Sequence, residues 1–287
     1  MTILKKLEVL AKGKTVNIGI GLGTSEFNNR KIMSVILQFL QKSLSKVYVF
    51  GSKASLDFVH DLINSNFKSR IIFIQSEIPE KDIFEYLTNK RFNSVIRGSL
   101  SSNKFLDNLK KSLKPKVINR IALLETVDGH QFFYGPVGID ECNNVEDKIE
   151  FIENAIKQLR LLNIEPIISV LSGGRIGDIG RNTDVDISIQ DAEKTVKVIK
   201  NQYPGLAINH DEILIENAVR NKSNLIIAPN GISGNLIYRT LVHLGGGKAY
   251  GAIYMNLEKN IIDTSRVGEI SEIQGAFILT LALSKGN

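Results

Sequence analysis

Arg120-Ile-Ala-Leu-Leu-Glu-Thr-Val-Asp-Gly-His-Gln-Phe-Phe-Tyr134 decides how this chain of 287 residues is organised. Two apolar runs, Arg120–Glu125 and His130–Tyr134, flank Asp128-Gly129. Asp-Gly suits a tight reversal, because glycine enters the left-handed backbone region that a hairpin turn demands. The stretch therefore predicts an antiparallel hairpin. Upstream of it, Val16–Ile20, Val47–Phe50, Ile71–Ile74 and Ser94–Ile96 read as strands. They alternate with helical spacing over Asn29–Ser43, Ala54–Asn64, Lys81–Lys90 and Ser102–Ser112. Such alternation predicts a parallel sheet with helices on both faces. Downstream, Val145–Leu162 reads as a long amphipathic helix whose apolar face extends beyond one core stripe. Strands follow at Ile167–Leu171, Leu225–Ile227 and Tyr250–Met255, and helices at Ala192–Asn201, Glu212–Asn221, Asn235–Leu244 and Ser271–Ser284. A hairpin between two α/β stretches predicts an α/β fold in two domains. The first takes residues 1–114 and 262–287, so that the C-terminal helix rejoins it; the second, with the hairpin, takes 115–261.

Composition narrows the function classes. A chain of this length buries enough surface to fold without disulfides or metals. Cys142 stands alone, so no internal bridge forms and a reducing, cytoplasmic setting is expected. No apolar run approaches the ~20 residues of a membrane span, and the N-terminus lacks the apolar core of a signal peptide. The formal net charge of +6 favours anionic partners. Its basic residues are scattered, aromatics are 7% and tryptophan is absent, which argues against nucleic acid and for small anionic molecules. The four histidines stand apart at 60, 130, 210 and 243, a spacing that makes no zinc site.

Five segments offer chemistry. Gly19-Ile-Gly-Leu-Gly23 follows the first strand and could cradle phosphate, but lacks the Gly-x-Gly-x-x-Gly spacing and the downstream acid of a dinucleotide site; the other reading is a plain turn. Arg97-Gly-Ser-Leu-Ser-Ser102 lies between a strand end and a helix. There Arg97 could pair with an anion, and Ser99 and Ser102 offer hydroxyls; alternatively Ser101 or Ser102 caps the helix. Leu171–Asp184, with four glycines, Arg175 and Arg181, reads as a loop able to close on an anion; Asp178, Asp184 and Asp186 leave a hard-metal reading open. Pro229-Asn-Gly-Ile-Ser-Gly-Asn235 opens a helix and presents Ser233 and Asn235. Asp263-Thr-Ser-Arg-Val-Gly-Glu-Ile-Ser-Glu272 brings a hydroxyl, a guanidinium and a carboxylate close together, though Ser265 or Ser271 could also cap the last helix.

The order of these blocks resembles the phosphate acetyl/butyryltransferase family. Pro229–Arg239 is similar to its Pro-x-x-x-x-Gly-Asn-Ile-x-Tyr-Lys block, Leu244-Gly-Gly-Gly-Lys-Ala-Tyr-Gly251 to its Leu-Gly-Gly-x-x-Ala-x-Gly block, and Asp263-Thr-Ser-Arg266 to its Asp-Leu-Ser-Arg-Gly block. Asp211–Ala218 and Arg97–Leu100 also have counterparts. The likeness runs from about residue 90 to the C-terminus. The short length and divergent blocks look most like a methanogenesis-marker, methyltransferase-related branch of that superfamily. The resemblance implies an isocitrate/isopropylmalate dehydrogenase-like fold with an inter-domain cleft, a homodimer, and attack of the coenzyme A thiol on an acyl phosphate, with no metal. It assigns Ser265 to orienting the thiol, Arg266 to phosphate and oxyanion, and Glu272 to general base, with Ser233 and Asn235 on the phosphate side. This chain differs in carrying Glu272 for the family Asp, Val267 for Gly, and Gly173-Gly-Arg-Ile-Gly177 for a Ser-Thr-Lys-Gly loop. A methyltransferase-related or non-catalytic accessory role is the alternative.

Overall fold

The computed structural model describes residues 1–63 and 65–284. Asn64, the expected end of the second helix, and residues 285–287 of the expected first domain lie outside them. In chain order the elements are α1 (Ile3–Ala11), β1 (Asn17–Gly21), α2 (Glu26–Lys42), β2 (Lys46–Gly51), α3 (Lys53–His60), β3 (Ile71–Gln75), α4 (Pro79–Thr88), β4 (Ser94–Ile96), α5 (Ser102–Leu113), β5 (Arg120–Glu125) and β6 (Gln131–Gly135). There follow α6 (Val145–Leu161), β7 (Ile167–Val170), α7 (Thr183–Gln202), β8 (Ala207–His210), α8 (Ile215–Arg220), β9 (Leu225–Ile227), α9 (Gly231–His243), β10 (Lys248–Tyr254), β11 (Asn260–Asp263) and α10 (Ile270–Leu283). Contacts divide the chain into two compact units, Leu4–Val117 with the segment from Ala249 onward, and Ile118–Lys248 with Met1–Ile3.

The N-terminal unit has strand order β3-β2-β1-β4-β11-β10. β1, β2, β3, β4 and β11 are parallel, as alternation with helices requires. β10 runs antiparallel to β11, with Ala252 opposite Asp263. This pairing, and that of β11 with β4, explain why the chain enters this unit at Ala249 rather than at 262. β1 is followed by β2 and β3 on one side and has β4 on the other. The loops after β1 and β4 therefore open where the strand order reverses, the usual ligand position of such sheets. α10 returns to α2, with Phe39 and Phe277 stacked at 4.4 Å between ring centroids. The helix α2 starts at Ser25, whose hydroxyl accepts the Asn28 N–H.

The hairpin unit has strand order β5-β6-β9-β7-β8. β5 and β6 pair antiparallel, with Leu123 opposite Phe133, as the Asp128-Gly129 signal predicts. Gly129 has φ +82°, the left-handed conformation that makes glycine the fitting residue there. β6, β9, β7 and β8 are parallel. α6 begins at Asn144, whose side chain accepts the Asp147 N–H, and buries Phe151, Ile152, Ala155, Ile156 and Leu159. Lys148, Asn154 and Gln158 are buried too, so most of its circumference is covered within the chain; Leu161 is its exposed large apolar residue.

Candidate active site

The turn after β1 is locked internally. Ser99 Oγ accepts the Gly23 N–H at 2.7 Å and donates to Asn29 Oδ1 at 2.8 Å. Gly23 O in turn accepts from Asn29 Nδ2 and Ser55 Oγ. A side chain at Gly23 would collide with the Ser99 carbonyl, so the third glycine of the turn serves close packing of the β1 and β4 loops. The Gly23 N–H, a phosphate-cradle candidate, and the Ser99 hydroxyl are thereby spent on each other.

Arg97 is likewise structural in its contacts. It is only 5% exposed and reaches from the end of β4 to the end of β11, where its Nε donates to Asp263 Oδ1. Nη2 donates to the Thr264 carbonyl and Nη1 to the Leu100 carbonyl, the last at 2.8 Å. Burial disfavours the charged guanidinium, but Asp263, with smaller help from Tyr254 and Glu272, outweighs it and holds the pKa above the ordinary value. Thr264 Oγ1 donates to Gly98 O at 2.9 Å, adding a second tie between the same two loops. Arg97 thus fixes the Asp263-Thr-Ser-Arg266 segment.

Beyond this anchor, Glu272 is 5% exposed in the first turn of α10 and folds back over the loop. Its Oε1 accepts the Ser265 N–H at 2.7 Å. Lys31 donates to Gly268 O at 3.0 Å from α2 and sits 3.8 Å from Glu269. Ser265 Oγ accepts a long contact of 3.4 Å from the Val267 N–H, and Arg266 is exposed. The structure therefore brings Ser265 and Glu272 together, with Arg97 one link away through Thr264. Ser102 is the exposed first residue of α5, with Ser101 at the N-cap. Ser101 makes no side-chain cap bond; its N–H donates instead to Glu80 Oε1 at 3.2 Å.

In the hairpin unit, Asn230 and Ser233 form a reciprocal capping box at the start of α9: Asn230 Oδ1 accepts the Ser233 N–H at 2.9 Å, and Ser233 Oγ accepts the Asn230 N–H at 3.3 Å. Asn235 Nδ2 donates to Val137 O at 2.9 Å. Gly231 and Gly234 leave no room for a Cβ against the carbonyls of Gly138 and Pro136, which sets α9 tightly on that loop.

The Leu171–Asp184 segment is more ordered than its glycines suggest. Ile176–Asp178 forms a 3-10 turn and α7 begins at Thr183, capped by Asn182, nine positions before the expected helix start at Ala192. Asp178 accepts the Arg175 N–H and pairs with Arg181, while Asp186 accepts the Gly180 N–H. These carboxylates are loop caps, and among the described residues no group of three or more His, Cys, Asp or Glu is arranged to hold a metal. Ser172, buried at the start of the segment, donates to Gly174 O and lies 2.8 Å from His210 Nε2. That pair escaped the sequence reading because β8, which ends at His210, gave no recognisable strand signal. Arg97–Asp263 escaped it because 166 positions separate the partners.

Among the described residues no helix is long and apolar enough to cross a membrane. Residues 93–281 match the family model for phosphate acetyl/butaryl transferase. The chain is 38% identical over 99% of its length to "Putative methyltransferase mtx subunit X" of Methanosarcina mazei, covering 96% of that protein. It is 36% identical over 98% of its length to the protein of the same name in Methanosarcina acetivorans, covering 95% of it. Its fold is similar to the EutD phosphotransacetylase of Staphylococcus aureus (TM-score 0.70, 16% identity, 98% of this chain and 97% of that one). It is also similar to 4-hydroxythreonine-4-phosphate dehydrogenase of Klebsiella pneumoniae (TM-score 0.58, 10% identity, 94% and 98%). The two-unit α/β architecture, the order of sequence blocks and the family match agree, and the chain belongs to the phosphate acetyl/butaryl transferase family.

Proposed function

We propose that the chain is a phosphate acyltransferase-like enzyme that moves an acyl group between phosphate and a thiol such as coenzyme A. The observation that carries this reading is the buried Glu272 carboxylate folded onto the Ser265 N–H, beside a loop that Arg97 and Lys31 hold in place. In the forward direction the thiol sulfur attacks the acyl carbonyl of an acyl phosphate. Glu272 accepts the thiol proton as the C–S bond forms, and Ser265 Oγ orients the sulfur. Arg266 pairs with the phosphate and stabilises the oxyanion. The tetrahedral intermediate collapses with loss of phosphate. Ser233 and Asn235 support α9 on the phosphate side, and Ser99 and Ser102 shape the loops around the β4 end. A homodimer is part of this reading, carried by the family alone.

Thioester formation from acetyl, propionyl and butyryl phosphate with coenzyme A tests it. Glu272→Gln is expected to lower the rate by ~10²–10⁴, as for loss of a general base. Arg266→Ala is expected to cost ~2.7–4 kcal/mol of transition-state stabilisation, the size of one oxyanion donor. Glu272→Asp should keep much of the activity, because the family carries the shorter acid there. An unmutated protein inactive with every acyl phosphate would overturn the transferase reading. The name shared by the Methanosarcina relatives favours a second one, a methyltransferase-related subunit with an accessory role in methanogenic archaea. That reading expects a stable complex with a methyltransferase partner and no acyl-phosphate turnover.

A further inference from the structure

One cavity of the N-terminal unit has no part in this chemistry. It measures about 780 Å³, within the ~300–1,000 Å³ range of small-molecule sites, and opens between α1, α2 and α10. Its floor is apolar and buried: Val35, Tyr250, Phe277 and Leu281 lie there, against the Phe39–Phe277 stack. Its mouth is of a different character. Val9 and Leu44 line it at 58% and 80% exposure, two large aliphatic side chains left in water beside an apolar hollow.

The same mouth is basic. Lys5, Lys12, Lys14 and Lys42 line the cavity against one acid, Glu8. Lys5 is paired with Glu8 at 3.0 Å, so the acid is already neutralised. Lys14 donates to the carbonyls of Ala282 and Ser284 at 2.9 and 2.7 Å, which closes the C-terminal end of α10 and keeps its charge at the cavity. Lys12 and Lys42 are exposed. A buried apolar floor, aliphatic lips and unbalanced positive charge describe a complement to one ligand shape: an aliphatic chain with an anionic head. The chain would cover the aliphatic lips, each buried methylene tightening binding about fourfold, while the head stays at the lysines. A bilayer fits less well, because it would have to reach a recessed floor with lipids still packed in a leaflet.

We propose that this cavity binds a single-chain amphiphilic anion, a medium-chain acyl carboxylate or alkyl phosphate taken up as a monomer. Calorimetry on the whole protein, below the micelle concentration of each probe, tests it. Decanoate and decyl phosphate are expected to bind with one-site stoichiometry; comparing the two identifies the preferred head. Hexanoate should bind at least tenfold more weakly than decanoate, and decyltrimethylammonium at least tenfold more weakly than either anion. Lys12→Glu combined with Lys42→Glu, both at exposed positions, should weaken decanoate at least tenfold. Ile278→Trp, which fills the wall of the cavity, should abolish binding of both anions, with an unchanged circular dichroism spectrum certifying the fold. Three results would overturn the assignment: equal affinity for the cationic probe, binding undiminished in both variants, or no uptake of monomers alongside capture by anionic phosphatidylglycerol vesicles.

Discussion

Two loops of this chain look alike on paper. Asp263–Glu269 and Leu171–Asn182 are both short on apolar residues, both contain glycine, and both pair acids with arginines. They differ in what holds them. The first is tied at long range, by Arg97 to Asp263 and Thr264, by Thr264 to Gly98, and by Lys31 to Gly268. The second is anchored at its start, by Ser172 to Glu212 and His210, but from Arg175 onward it is tied locally, by Asp178 to Arg175 and Arg181 and by Asp186 to Gly180. Long-range bonds convert the stability of a whole sheet into the rigidity of a few residues. Local bonds between exposed groups leave a loop free to open without disturbing its unit. In the proposed transferase reaction the first would be the segment that is preorganised and the second the one that moves.

The largest expected effect comes from cutting the long-range tie. Arg97→Ala removes a charged donor from the buried Asp263 carboxylate and from the carbonyls of Leu100 and Thr264. Removing one member of a buried pair typically costs ~3–5 kcal/mol. Urea denaturation followed by circular dichroism should show this as a large fall in midpoint. Arg181→Ala in the other loop removes an arginine that is 76% exposed, and the midpoint should not move measurably. Equal effects at the two positions would erase the distinction.

Glycine replacements sharpen it. A Cβ at Gly268 would collide with Glu272 Oε2, so Gly268→Ala must displace the carboxylate from the Ser265 N–H. The displaced atom is the end of a flexible side chain, so the denaturation midpoint should move little while thioester formation falls. Gly177, in the 3-10 turn of the other loop, has nothing within 4 Å of its Cβ position. Its backbone needs no glycine, so Gly177→Ala should stabilise by ~0.4–1 kcal/mol through the unfolded state and leave turnover intact.

The same contrast explains what could be read from the sequence. The hairpin at Asp128-Gly129 and the starts of α5 and α6 are local events, each decided within a few residues, and they were legible. The capping box of Asn230 and Ser233 rests on their three-residue spacing, whereas the family likeness assigns Ser233 and Asn235 to the phosphate side. β11 was invisible because four residues form it and its identity comes from the neighbours β4 and β10. α1 passed unread because its stripe is short, and α7 because the polar stretch before Ala192 looked like loop. Family likeness placed Ser265, Arg266 and Glu272, and the structure adds the contact between Glu272 and the Ser265 N–H. It gave no hint that Arg97 would face inward to Asp263, since nothing near Arg97 in sequence announces its partner.

The smallest expected effect concerns acid, and it belongs to the hairpin unit. Both histidines with a shifted pKa, His130 and His210, lie there. Burial lowers each below the ordinary value; for His210 the acids Glu193, Glu212 and Asp211 oppose it without reversing it. A histidine whose pKa is lower in the folded chain binds fewer protons folded than unfolded, between the two pKa values. Stability therefore rises with pH across that window and falls as pH drops below the unfolded value of about 6.5. Ser172 Oγ already gives its one proton to Gly174 O, so it accepts from His210 Nε2, and protonating the ring leaves that bond in place. That arrangement is already compatible with the contacts present, which keeps the effect small. Denaturation midpoints measured from pH 7.5 down to 5.5 should decline gently. His210→Gln, with an uncharged side chain at every pH, should flatten part of that decline, and His130→Gln the rest. A decline untouched by both substitutions would place the acid sensitivity outside the two histidines.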